Sequence, residues 1–126
     1  MIQHSFPTRR SSDLGEGEWP RFDLVLMGIG ADGHTASLYP GHEEELAAPG
    51  PIVHVPEPGM PPPHPRPTFS LPYLSSQPLV AFLVGGARKR DVLAGMLAGD
   101  ESLPAARIRA ARTVVLADEA AAPRAK

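Results

Sequence analysis

Two side chains that can exchange protons, Asp32 and His34, flank Gly33 in the run Gly28-Ile29-Gly30-Ala31-Asp32-Gly33-His34. An imidazole has an unperturbed pKa of about 6.5, so it can take a proton from water at neutral pH. A carboxylate two residues away can orient the ring or balance its charge, and Gly33 lets the backbone fold closely between them. The chemistry this spacing points to is activation of a water molecule by a general base. A plainer reading has Asp32 capping a short helix and His34 on the surface. The first six residues also match Gly-x-Gly-x-x-Gly, the phosphate turn of dinucleotide-binding folds. That fold needs a full helix after the third glycine, and Pro40-Gly41 leaves barely two turns. It also needs a second strand ending in an acidic residue, where this chain has Ile52-Val53-His54-Val55 among prolines.

Cationic side chains come next. Gly85-Gly86 follows the apolar run Leu79–Val84, and Lys89 falls in the first turn of the helix predicted to start there. A strand, glycines and then a helix present backbone N–H groups and a positive helix end to an anion. The arrangement is expected twice, after Met27 and after Val84, which points to a phosphorylated ligand. Arg66 offers a planar fork for an anion, although Pro67 beside it removes a backbone donor from the expected strand. His42 with Glu43–Glu45 lacks a recognised metal-ligand spacing, and no metal is expected. His54 and His64 read as surface residues of a proline-rich stretch. Pro61–Arg66 fits a long loop better than a proline-rich recognition ligand.

The elements that must position these groups follow an α/β pattern. Phe22–Met27 is a short apolar run ending at Gly28, as a buried parallel strand does. Thr35–Leu38 is predicted to form one helical turn before Pro40-Gly41, and Glu43–Ala48 a second short helix. Nine prolines lie between Pro49 and Pro67, too many for a helix or a central strand, with Ile52–Val55 pairing briefly among them. Thr68–Leu71 alternates polar and apolar and predicts a half-buried strand. Leu79–Val84 is the strongest strand. Ala87–Ala98 predicts a helix with Val92, Leu93, Met96 and Leu97 on one face and Gly99 as its cap. Thr113–Leu116 predicts a last strand, and Asp118–Ala122 a terminal helical turn.

Composition narrows the class. The 126 residues suffice for one domain or part of one, and the 42% hydrophobic content can supply a core. A net charge of -2 and 21% charged residues fit neither an acidic disordered tail nor a nucleic-acid binder. The absence of cysteine excludes disulfides and thiolate metal sites and fits a reducing compartment. The longest apolar run is far too short to span a bilayer, so no membrane association is expected. Ser5–Leu14 resembles the in-frame translation of a common sequencing-adapter oligonucleotide, and residues 1–14 are read as such an artefact. A leader peptide fits less well, because the residues after Arg9-Arg10 are polar rather than apolar.

The run Phe22–His42, with Gly28-Ile29-Gly30-Ala31-Asp32-Gly33-His34-Thr35-Ala36-Ser37-Leu38-Tyr39-Pro40-Gly41 at its centre, resembles the signature of the 6-phosphogluconolactonases. In that family Phe usually stands at the position of Tyr39. The related glucosamine-6-phosphate deaminases share the glycine core but continue Ile-Ala-Phe-Asn-Glu-Pro. Downstream, Pro65–Leu71, Leu83–Arg90, Leu103–Ala106 and Leu116–Ala121 resemble later segments of the lactonases, in order.

This resemblance implies an α/β, parallel-sheet, modified Rossmann-like three-layer fold of the glucosamine-6-phosphate deaminase type. It implies hydrolysis of 6-phospho-D-glucono-1,5-lactone to 6-phosphogluconate in the pentose phosphate pathway, in the cytoplasm and without a cofactor. His34 then maps to the base, assisted by Asp32. Arg66 and Lys89 map to phosphate-binding positions, and the Gly30 and Gly33 amides are expected to stabilise the oxyanion at C1. The partner is a small sugar-phosphate lactone; nothing indicates an oligomeric state. A non-catalytic phosphosugar-binding module and a dinucleotide-binding Rossmann domain are the alternatives. Members of the family are roughly twice this size and open on a Gly-Gly-Ser-x-x-Pro loop and an Asp-Glu-Arg segment, and neither string occurs here. Residues 15–126 are therefore expected to be the C-terminal portion of one such domain, poorly stable and weakly active or inactive.

Overall fold

The computed structural model describes residues 19–58 and 64–123. The adapter-like segment 1–14 and much of Pro61–Arg66 lie outside the described residues.

Leu79–Val84 forms the middle strand of a three-stranded parallel sheet, because its unbroken apolar run can be buried where a half-polar strand cannot. With strands numbered in chain order, β1 (Val25–Met27) pairs with β4 (Leu79–Val84) in the register Val25↔Val80 to Met27↔Phe82. On its other side β4 pairs with β5 (Arg112–Ala117), from Leu79↔Arg112 to Val84↔Ala117. A separate antiparallel pair joins β2 (Ile52–Val55) to β3 (Arg66–Phe69) across the proline-rich stretch. Pro67 is accommodated there, exposed and opposite His54 on a two-stranded ribbon where both strands are edges.

The two faces of the parallel sheet differ. Val80, Phe82 and Val84 point to one side and, with Met27, Val25 and Val115, pack on Leu93, Val92 and Met96 of a helix. Burying a side chain such as Phe82 contributes about 2 kcal/mol. The opposite face carries Leu26, Leu83 and Leu116, which are 60%, 51% and 56% exposed. Alternation along β4 and the register with its neighbours put these three leucines on one side of the sheet. That face is apolar and bare.

The helix following β4 begins as a single 3-10 turn, Ala87–Lys89, and continues as α3 (Arg90–Leu97). Its buried residues are Val92, Leu93 and Met96. Leu97, expected on the same face, is exposed, because at 100° per residue it falls past the edge of the stripe. Gly99, at φ +80°, closes the helix: its N–H donates to the Met96 carbonyl and that of Asp100 to Gly95. Those two bonds satisfy the helix's last carbonyls as the sequence predicts.

Two further segments differ from expectation. Residues 35–38 are not helical; Thr35 and Leu38 instead bridge as an antiparallel pair. Four residues before a proline are too few to nucleate a helix against competing anchors. Those anchors are the Thr35 hydroxyl, which donates to the Gly28 carbonyl at 2.7 Å, and Thr68 Oγ1, which accepts the Ser37 amide at 3.1 Å. The first helix is α1 (Glu43–Leu46), within the second predicted segment. Finally, the strand predicted to reach Leu71 stops at Phe69, and α2 (Leu71–Ser75) begins there. Ser70 Oγ caps it by accepting the Tyr73 amide, and Pro72 suits its first turn.

One buried amide side chain fixes the entry to β1. Gln77, fully buried, accepts the Phe22 N–H at 2.8 Å through Oε1 and donates to the Pro20 carbonyl at 3.3 Å through Nε2.

Candidate active site

The loop at the carboxyl end of β1 folds back on itself. The Gly30 N–H donates to the His34 carbonyl at 2.8 Å, and the Gly33 N–H donates to the Gly30 carbonyl at 2.9 Å. Gly33 stands at φ +93°, a conformation that disfavours any residue with a Cβ. Asp32 and His34 are thereby brought side by side. His34 Nδ1 lies 2.5 Å from Asp32 Oδ1, which also accepts the His34 backbone N–H at 3.0 Å. The His34 side chain is 19% exposed and that of Asp32 44%. Nε2 of His34 has no hydrogen-bond partner among the described residues.

Burial pushes the Asp32 carboxyl up, but the His34 amide and imidazole outweigh it, and Asp32 sits below the ordinary carboxylate value. An ionised Asp32 can only accept from Nδ1–H, which in a neutral imidazole leaves the lone pair on Nε2. That is the form of histidine that accepts a proton from water.

Gly30 supplies room rather than a donor. A Cβ built there would overlap Nδ1 and Cε1 of His34 and lie 2.8 Å from Asp32 Oδ1. The Gly30 and Gly33 amides, expected to stabilise an oxyanion, here both donate to carbonyls that close the loop. The same loop lacks the helix that a dinucleotide site needs behind its glycines, because residues 35–38 turn back as a hairpin.

Lys89 reaches this loop from the second glycine turn. Its Nζ donates to the carbonyl of Ile29, the residue before Gly30. Two loops distant in sequence thus meet at the carboxyl ends of adjacent parallel strands, where ligands bind in open α/β sheets. The Gly86 amide, expected to face an external anion, is already taken by Asp118. Both carboxylate oxygens of Asp118 lie 3.1 Å from it, and Oδ1 also accepts the Ala121 N–H at 2.8 Å. The amides of Ala121 and Gly86 lower the Asp118 carboxyl below its ordinary value. Asp118 opens the terminal turn predicted from the sequence, where an Asp after a strand is a capping signal, but its reach to Gly86 is not visible there.

Arg66 stands on β3, and its Nε donates to the His64 carbonyl at 3.2 Å. It shares a face of β3 with Thr68, two residues on, and Thr68 anchors the loop after His34 through Ser37. His42 lies 4.0 Å from Glu45, and among the described residues no three His, Asp or Glu side chains are grouped to hold a metal ion. Also among the described residues, no helix is long and apolar enough to cross a membrane.

The family model for glucosamine-6-phosphate isomerases/6-phosphogluconolactonase matches residues 2–117. The chain belongs to this family. It is 43% identical over 110 residues to a 6-phosphogluconolactonase of Rattus norvegicus, covering 82% of this chain and 41% of that protein. To a probable 6-phosphogluconolactonase of Schizosaccharomyces pombe it is 43% identical over 77 residues, covering 59% of this chain and 28% of the relative. Among solved structures, the 6-phosphogluconolactonase of Thermotoga maritima superposes with a TM-score of 0.69 at 31% identity, over 77% of this chain and 43% of that one. The chain thus spans less than half the length of these relatives. The α/β parallel-sheet fold expected from the sequence is the fold of the family.

Proposed function

We propose that this chain carries the water-activating part of a 6-phosphogluconolactonase site, acting on 6-phospho-D-glucono-1,5-lactone to give 6-phosphogluconate. The observation that carries the reading is the imidazole of His34, anchored at Nδ1 by Asp32 with Nε2 left to accept a proton. In the reaction Nε2 takes a proton from water as the water oxygen bonds to C1 of the lactone. The tetrahedral intermediate collapses by breaking the bond from C1 to the ring oxygen, and the imidazolium returns its proton to that oxygen. Asp32 balances the imidazolium charge meanwhile. Lys89, at the Ile29 carbonyl beside this loop, is the cation best placed for the substrate phosphate. Arg66 is assigned to the same phosphate on the family pattern and on its position along β3 from Thr68.

The bare leucine face of the sheet favours low stability and a low rate for residues 15–126, read as the C-terminal portion of a family domain. The test is a stopped assay of lactone hydrolysis corrected for spontaneous opening, paired with carbethoxylation of His34. The reading expects 6-phosphogluconate to protect His34 and His34→Ala to lower the corrected rate by about 10²-fold or more. Binding and protection without turnover would support the non-catalytic phosphosugar module instead, and absence of both would refute the reading.

A further inference from the structure

We infer that Tyr39 is a positioning residue for His34, set against it by a strained two-residue hairpin. The inference rests on the proposal that His34 is the base. Thr35 and Leu38 exchange both backbone hydrogen bonds, Leu38 N–H to Thr35 O at 2.9 Å and Thr35 N–H to Leu38 O at 3.3 Å. They form the closing pair of a turn whose corners are Ala36 and Ser37. In such a ladder the next pair outward is the close, non-hydrogen-bonded one, with side chains on the same side. Here that pair is His34 and Tyr39. Their rings stack with centroids 4.9 Å apart and planes inclined by 28°.

The turn is held against a backbone cost. Ala36 adopts φ +50°, the only described non-glycine residue at positive φ, a conformation disfavoured for an L side chain. The Ser37 N–H bond to Thr68 and the Thr35 hydroxyl bond to Gly28 keep the tip in place. Tyr39 itself is 4% exposed and also touches His42, with centroids 5.6 Å apart. Asp32 restrains the imidazole at one edge through a single hydrogen bond, which leaves rotation about that bond open. A ring stacked on the imidazole face removes that freedom and keeps Nε2 aimed one way.

The test compares Tyr39→Phe with Tyr39→Leu by NMR of histidine-labelled protein, with core methyl shifts of Val80 as the check on folding. Wild type and Tyr39→Phe should show His34 ring protons displaced upfield by the neighbouring ring, and a slowly exchanging Nδ1 proton. Tyr39→Leu should lose both signatures. If it fails to fold, Tyr39→Met, an unbranched apolar replacement, takes its place. In lactone hydrolysis the non-aromatic variants should lose about 10- to 100-fold in kcat with KM little changed, and Tyr39→Phe should restore the rate. An undisturbed Nδ1 proton in a folded non-aromatic variant would overturn the inference. The NMR readout needs no turnover, so a wild type with neither turnover nor protection of His34 by 6-phosphogluconate would sink the proposed function while leaving this inference decided on its own measurement.

Discussion

A methyl group at Gly30 provides a direct test of the Asp32–His34 pair. Gly30 is not at positive φ, so alanine meets no backbone penalty there. Its N–H bond to the His34 carbonyl is also retained. The cost falls on the side chains: the new Cβ would occupy the space of Nδ1 and Cε1 and press on Asp32 Oδ1 at 2.8 Å, where ordinary contacts begin at 3.4 Å. To clear it the imidazole must retreat by more than about 1 Å, a displacement that typically costs about 10²-fold in rate. That factor corresponds to about 2.7 kcal/mol of lost transition-state stabilisation. Global stability should change by no more than about 1 kcal/mol, since replacing glycine lowers the entropy of the unfolded chain and offsets part of the crowding. Gly28→Ala is the matched control, because a Cβ there meets nothing within 4 Å. The assay is lactone hydrolysis together with the NMR signal of the His34 Nδ1 proton. Retention of that proton and of the rate within twofold in Gly30→Ala would refute the claim that this glycine exists to admit the imidazole.

Gln77→Leu should lower stability by about 1–3 kcal/mol, because it removes the partners of the Phe22 N–H and the Pro20 carbonyl; urea unfolding measures it. Lys89→Met should weaken binding of 6-phosphogluconate by about tenfold or more, as expected for loss of one charge-assisted bond, and calorimetry reads the change. Asp32, Asp100 and Asp118 all have carboxyl pKa values lowered in the folded chain. Their stabilising contribution is therefore fully present above the ordinary value of 3.8 and is lost as pH falls through the lowered folded values. A melting temperature that stays flat from pH 5 to pH 2 would contradict this.

The parts legible in the sequence were those governed by short-range rules. β4 announces itself as six apolar residues ended by Gly85-Gly86, and the left-handed Gly99 marks the end of α3. The type and spacing of Asp32 and His34 suggest a paired carboxylate and imidazole, and the two side chains do meet, Nδ1 to Oδ1 at 2.5 Å. What could not be read depended on contacts from far along the chain. The hairpin at Ala36 exists because Thr68, thirty-one residues away from Ser37, holds its tip, so local propensity for a helical turn is overridden. The Gly30 and Gly33 amides looked available because the sequence does not show that the loop closes on its own carbonyls. Asp118 reaches Gly86 across thirty-two residues, and only the pairing of β4 with β5 brings them together. The start of α2 was legible in principle, in Ser70 and Pro72, but the alternation ending at Leu71 masked it.

The carboxylate of Asp118 in the second glycine turn carries a consequence for any charged visitor. The resting molecule supplies its own counter-anion to the Gly86 amide, just as the Ile29 carbonyl occupies the ammonium of Lys89. On the proposed reading, a phosphate arriving here would compete with Asp118 for the Gly86 amide, whereas the Lys89 ammonium, with three N–H donors, gives one to the Ile29 carbonyl and keeps two to offer.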